Sequence, residues 1–189
     1  MSLKLITGPA VEPISLDEAK AHCRVDDSDN DAPLTLMIKA ARSLAEARLG
    51  RALVSQLWEL TLDAFPAAEV RLEKPAVLGI TSVKYLDPDG VEQTMAAEDY
   101  VLDAALLPGW LFPSDVWPET YDGANAVKIR FTAGYGAAAS DVPNDIKAWM
   151  LLQIGALYRN REAFAAGQAV AELPGRFTDA LLDAERVYL

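Results

Sequence analysis

Val127-Lys128-Ile129-Arg130-Phe131-Thr132-Ala133-Gly134-Tyr135-Gly136 is the stretch on which the reading of the fold turns. Residues 127–131 alternate, apolar on one face and basic on the other, which is the signature of a half-buried strand. The glycines end it, and after Pro143 the period changes. Ile146, Trp149, Met150, Gln153, Ile154, Leu157 and Tyr158 fall on one broad, mostly apolar helix face that runs to about Arg161. A helix apolar over so wide an arc is expected to be buried on two sides.

Working back from that strand, the alternation recurs. Leu57 to Leu62, Val70-Arg71-Leu72 and Ile80 to Tyr85 each read as strands, and Asp87-Pro88-Asp89-Gly90 reads as a turn. Six or seven short strands are expected across 53–133. Before Gly50 the pattern is helical. Ser15-Leu16-Asp17-Glu18 is a capping box that should start a helix ending near Arg24. Leu34, Met37, Ile38, Ala41, Ala45 and Leu49 then mark a second helix, with Asp31 as its expected N-cap and a length of roughly 27 Å. Two helices are thus expected to open the chain.

The C-terminal end divides at Leu173-Pro174-Gly175. The uncharged Ala/Gly-rich run 163–171 before it predicts a mobile loop over 163–175, and a last short helix should run from Phe177 to about Tyr188. The expected class is α+β. Its mainly helical part comes from N- and C-terminal helices packed together, with a small antiparallel β module inserted. The boundaries are 1–52 for the N-terminal helical part, 53–140 for the β module and 141–189 for the C-terminal helical part. Truncation after Glu162 is expected to leave a folded core.

Composition narrows the function. The chain has 189 residues, 51% of them hydrophobic and 24% charged, with a formal net charge of −11. That is ordinary globular composition, long enough to bury a core. The acidic excess sits in the middle: residues 51–140 carry 6 basic and 13 acidic side chains. A phosphate-gripping protein needs a basic face, so the balance argues against sequence-specific DNA binding. No run approaches a membrane span, and the single cysteine, Cys23, excludes an intrachain disulfide. Those features predict a chain made and folded in a cytoplasm.

Chemistry is not legible in the motifs. His22, the only histidine, neighbours Cys23, but adjacent helical side chains point about 100° apart. The acidic run 26–31 lacks the glycine and the closing glutamate of a calcium loop in either register. Gly134-Tyr135-Gly136-Ala137-Ala138-Ala139 matches G-x-G-x-x-A superficially, yet Ser140 to Pro143 delays the helix whose N-terminus should meet a pyrophosphate. The four tryptophans read as core or interface anchors.

Several short signatures, in order, resemble the phage head–tail connector (adaptor, or head-completion) proteins of tailed phages, prophages and gene-transfer-agent particles. They are Pro13 to Lys20 with Arg24-Val25-Asp26; Ala40-Ala41-Arg42 with Gly50-Arg51-Ala52-Leu53; Phe131 to Gly136 leading into Val142-Pro143; and Leu157 to Glu162 with Leu173-Pro174, Leu181-Leu182 and Arg186. The resemblance implies a structural virion protein seated at the head–tail joint, with no enzyme activity, cofactor or membrane association. It implies a homo-oligomeric ring, twelvefold in the particle, that binds portal protein and meets a tail-completion or stopper protein. DNA would pass through without specific binding. Phe177, Leu181, Leu182, Arg186 and Tyr188 are the expected portal or subunit contacts. A tail-completion protein is the alternative, and a small-molecule or nucleotide-binding enzyme using 134–140 and His22 a more distant one.

Overall fold

The computed structural model describes residues 1–160 and 175–187, with side chains in the second span from 178 onward. Its elements are helical at both ends of the chain and β in the middle, as the change of period requires, with one difference at the start. Residues Ser2–Thr7 form a strand, β1, where a helix was expected to come first. It pairs antiparallel with β2 (Gln56–Leu62), Lys4 lying opposite Glu59. Five of the six β1 residues are exposed, so its sequence has almost no buried face to reveal it. Long-range pairing makes this strand.

Helix α1 (Leu16–Cys23) begins at the expected capping box. The Ser15 hydroxyl accepts from the Glu18 N–H, while Glu18 accepts from the Ser15 N–H at 2.7 Å. That backbone donor holds the Glu18 carboxyl below its ordinary 4.5. A carboxyl depressed by folding stabilises above its unfolded value and loses that contribution as pH falls through its folded one. The Ser15 hydroxyl also donates to this carboxylate, so Ser15→Ala should cost about 1 kcal/mol near neutrality, and less below pH 4, in urea melts at both pH values.

Helix α2 (Asp31–Leu49) has a different start from the expected one. Asn30 precedes it and makes no side-chain cap. Asp31 lies within the first turn, where its carboxylate takes the Lys20 ammonium at 2.8 Å. The ion pair to α1 outcompetes the capping geometry.

The seven strands of 53–133 make two antiparallel sheets. β3 (Val70–Leu72), β4 (Val77–Leu86), β5 (Glu92–Thr94), β6 (Tyr100–Asp103), β7 (Gly109–Pro113) and β8 (Val127–Ala133) follow β2. One sheet has the order β1-β2-β8-β4-β5, the other β3-β7-β6. Leu60, Val83, Ile129 and Phe131 from the first pack with Val70, Leu72 and Leu111 from the second in one core. β8 alternates buried and exposed as its sequence predicts.

A second core belongs to the helices. α3 (Asn144–Arg159) lies against α1, α2 and α4 (Gly175–Asp183). It buries Ile146, Trp149, Met150 and Ile154 among Leu34, Ile38, Ala41, Ala45 and Leu49 of α2. Burial on more than one side accounts for its wide apolar arc. α4 ends at Asp183, short of the expected Tyr188.

Leu182 of α4 is fully buried in this core, so the last helix completes the helical layer. Truncation after Glu162 would strip that layer, and the intact core expected of it does not follow. The predicted mobile loop falls, from 163 to 174, outside the described residues.

Candidate assembly surface

The two layers meet where the chain crosses between them. Leaving α2, residues 52–55 run beside residues 134–136, which lead back toward α3. The Tyr135 N–H donates to the Leu53 carbonyl and the Ser55 N–H to the Gly136 carbonyl, both at 2.8 Å. Gly134 permits this approach. Its φ is +146°, and a Cβ there would lie 2.8 Å from the backbone of Val54 and Ser55.

Charged side chains fasten the crossing. Glu46 accepts from the Leu53 N–H at 3.1 Å, from the Gln56 amide and from Arg42, which also donates to Glu12 at 2.7 Å. Arg51, only 5% exposed, lies 4.0 Å over the Tyr135 ring. The Tyr135 hydroxyl donates to Glu185 at 2.6 Å, and Arg51 reaches the same carboxylate at 3.4 Å. Burial, reinforced by that carboxylate, pushes the Tyr135 phenol well above its ordinary value, so it stays a donor. The Val187 N–H donates to the Leu49 carbonyl, and Arg48 pairs with Asp179.

The segment after α4 is thus strapped to both α2 and the crossing strands. Tyr135→Phe should destabilise by about 1–2 kcal/mol, because the carboxylate loses a charge-assisted bond. Faster hydrogen exchange at Val187 would report the loosened strap.

The expected contact residues separate when placed in three dimensions. Leu182 is enclosed by its own chain and offers nothing to a partner. Leu181 is half-buried against the helical core, and Arg186 is partly exposed, 3.7 Å from Asp183. The side chain of Phe177 and all of Tyr188 fall outside the described residues.

None of the three catalytic readings gains geometry. His22 is exposed, and its ring lies over Gly155 of α3. The Cys23 thiol is pushed up by burial, away from reactive thiolate character. In the 134–140 turn, the Asp141 carboxylate occupies the space beside Gly136 and accepts from the Ala138 N–H at 2.9 Å. An anion already sits where a phosphate would have to bind. The 26–31 run is a polar turn: the Asn30 amide, with the Asp29 N–H, donates to Asp27 and holds its carboxyl below its ordinary value. Among the described residues no group of three or more His, Cys, Asp or Glu is placed to hold a metal ion. No described helix is long and apolar enough to cross a membrane.

Known proteins with the same arrangement are particle components. Residues 13–89 match the family model described as phage gp6-like head-tail connector protein. That stretch takes in α1, α2 and the first strands of the module. A solved chain from the neck of an empty GTA particle, computed with C6 symmetry, superposes with a TM-score of 0.80 at 26% identity. The match covers 100% of this chain and 97% of that one. The chain is similar to head–tail connector proteins over residues 13–89 and to a particle neck chain over its whole length. Chains from the virion of a native gene transfer agent (GTA) particle and from the neck of a native GTA particle computed with C12 symmetry give the same result. Their TM-scores are 0.79 and 0.73 at 25% and 27% identity, with the same coverage. A comparison with curated protein sequences finds no match. The likeness to the neck chains therefore extends over both layers, including the β module, where sequence signatures are sparse.

The sequence missed the fastening residues Glu46, Arg51 and Tyr135. Polar side chains on an otherwise apolar helix face, such as Arg42 and Glu46 beside Ala41 and Ala45, were the signal available.

Proposed function

We propose that this protein is a ring-forming adaptor subunit at the head–tail joint of a virion. It binds the portal protein and offers the tail a platform around the DNA channel. The full-length likeness to neck chains of particles computed with C6 and C12 symmetry carries this reading. A net charge of −11 suits a conduit, since an acidic wall repels passing phosphates. The role is structural and needs no catalysis.

Deleting the gene from its particle system should yield filled or leaking heads without tails; normal tailed particles would end the proposal. Pull-down against purified portal and purified tail proteins separates an adaptor from a tail-completion protein, because an adaptor binds portal directly.

The C-terminal segment is the proposed portal contact, through Phe177, Leu181, Arg186 and Tyr188, with Leu182 committed to the core. Arg186 is partly exposed and its pair with Asp183 is long, so it contributes little to the fold. Arg186→Glu should leave the melting temperature unchanged and weaken portal capture by roughly tenfold. Unchanged capture would move the contact elsewhere.

A further inference from the structure

The outer face of the five-stranded sheet is charged against the trend of the chain. In a protein of net charge −11, it carries Lys4, Lys84, Lys128 and Arg130 against only Glu59 and Glu92. Lys84 and Lys128 stand directly opposite each other on β4 and β8, and like charges so placed destabilise a sheet. Glu92 compensates Lys84 and Glu59 compensates Arg130, each at 2.7 Å. Lys128 is exposed and forms no ion pair among the described residues. These side chains surround a depression of about 130 Å³. The face is short of negative charge.

The complement lies across the same sheet margin. Residues 85–127 carry nine acidic side chains and no Lys, Arg or His. Tyr85 follows Lys84 in the strand and so points to the opposite face. With Met95, Asp99, Asp115, Val116 and Pro118 it lines a cleft of about 340 Å³. Asp99 and Asp115 are exposed and form no ion pair among the described residues, and Val116 is 74% exposed. A lysine can lay its alkyl stem on such apolar walls while its ammonium meets the carboxylates.

We propose that the basic sheet face of one subunit docks on the acidic cleft of a second copy, through Lys84 and Lys128 against Asp99 and Asp115. The inference rests on the ring reading above and supplies its closing contact. Two different, complementary patches, one on the sheet face and one at and beyond its β5 edge, make a heterologous contact, which repeats from copy to copy and closes a ring when its rotation allows. Two-fold pairing of either patch with itself would oppose like charges. Nucleic acid fits the basic face less well, because Glu59 and Glu92 interrupt it.

The test uses the full chain and its charge-reversed forms. Sedimentation velocity of the concentrated wild type should show association that weakens as salt is raised. Lys84→Glu/Lys128→Glu and Asp99→Lys/Asp115→Lys should each weaken it at least tenfold while the chain stays folded by circular dichroism, the first with a somewhat lower melting temperature because the Lys84–Glu92 pair is lost. The four changes combined in one chain should restore it. Zero-length carbodiimide cross-linking should join Lys84 or Lys128 of one copy to Asp99 or Asp115 of another. A chain that stays monomeric at every concentration, association indifferent to the reversals, or no recovery in the fourfold variant overturns the proposal. So does binding of a short DNA duplex that depends on Lys84 and Lys128 in the absence of association. Portal capture is read separately. Loss of capture in the wild type strikes the adaptor reading, whereas capture by rings that complete despite both reversals strikes only this contact.

Discussion

Replacing Trp149 by alanine is expected to destabilise the protein by about 3–5 kcal/mol, the usual cost of emptying a large buried site. The indole is fully buried on α3. Residues of α1, α2 and α4 belong to the same core, so the cavity would open at the meeting point of the helical layer. Arg48 would also lose the ring that lies 5.3 Å from its guanidinium. For a chain of this size the melting temperature should fall by roughly 10 °C or more. Trp149→Phe is the informative control. It keeps most of the volume and removes an indole N–H that has no hydrogen-bond partner among the described residues, so its cost should stay near 1 kcal/mol. Equal losses for the two variants would show that a phenyl ring cannot fill the site, so that the particular shape of the indole, and not apolar volume alone, holds the layer together.

The second large effect is expected at Glu46. Its side chain is 13% exposed and serves three donors at once. Glu46→Ala orphans the buried Leu53 N–H, leaves the Gln56 amide without its acceptor, and leaves Arg42 with Glu12 alone. Unpaired buried donors and a half-neutralised, partly buried cation together should cost about 3–5 kcal/mol. Arg42→Ala made in the same chain should add less than its separate cost, because the two side chains share one network. Urea melts of the four proteins give the coupling directly; strict additivity would show that Glu46 acts through the backbone donor only. Because Leu53 and Gln56 lie on the chain crossing into β2, loosening this carboxylate should also free the β module to move against the helices. Faster exchange at the Tyr135 and Ser55 N–H groups would report it.

Local chemistry made much of this architecture legible. The capping box at Ser15 and Glu18, the periodicity of α2 and α3, and the alternation of β8 are set by residues within a turn or two of each other, so they can be read without a partner. The helix–sheet–helix order and the inserted antiparallel module followed from them. What failed lacked a local cause. β1 is a strand because its backbone completes β2, and its exposed side chains give no alternation to detect. Asp31 looked like a cap because capping is local, whereas the ammonium it takes comes from Lys20 on another helix.

The surface proposed for assembly shows the same limit. Phe177, Leu181, Leu182, Arg186 and Tyr188 belong together as a terminal segment whose apolar residues are available for packing and which the family resemblance turns toward a partner, yet Leu182 faces its own core while Arg186 is partly exposed. Amphipathic spacing cannot distinguish a face buried by the same chain from one buried by a neighbour.

The sequence by itself determined where helices and strands begin and change, through capping, turns and period, and its ordered signatures pointed to the head–tail connectors. Only the tertiary structure decided which strands share a sheet, that the last helix closes the helical core, and that Glu46, Arg51 and Tyr135 fasten the two layers. The reason is distance along the chain. Tyr135 meets Glu185, and Arg42 meets Glu12, only after folding has brought together segments that no local preference connects.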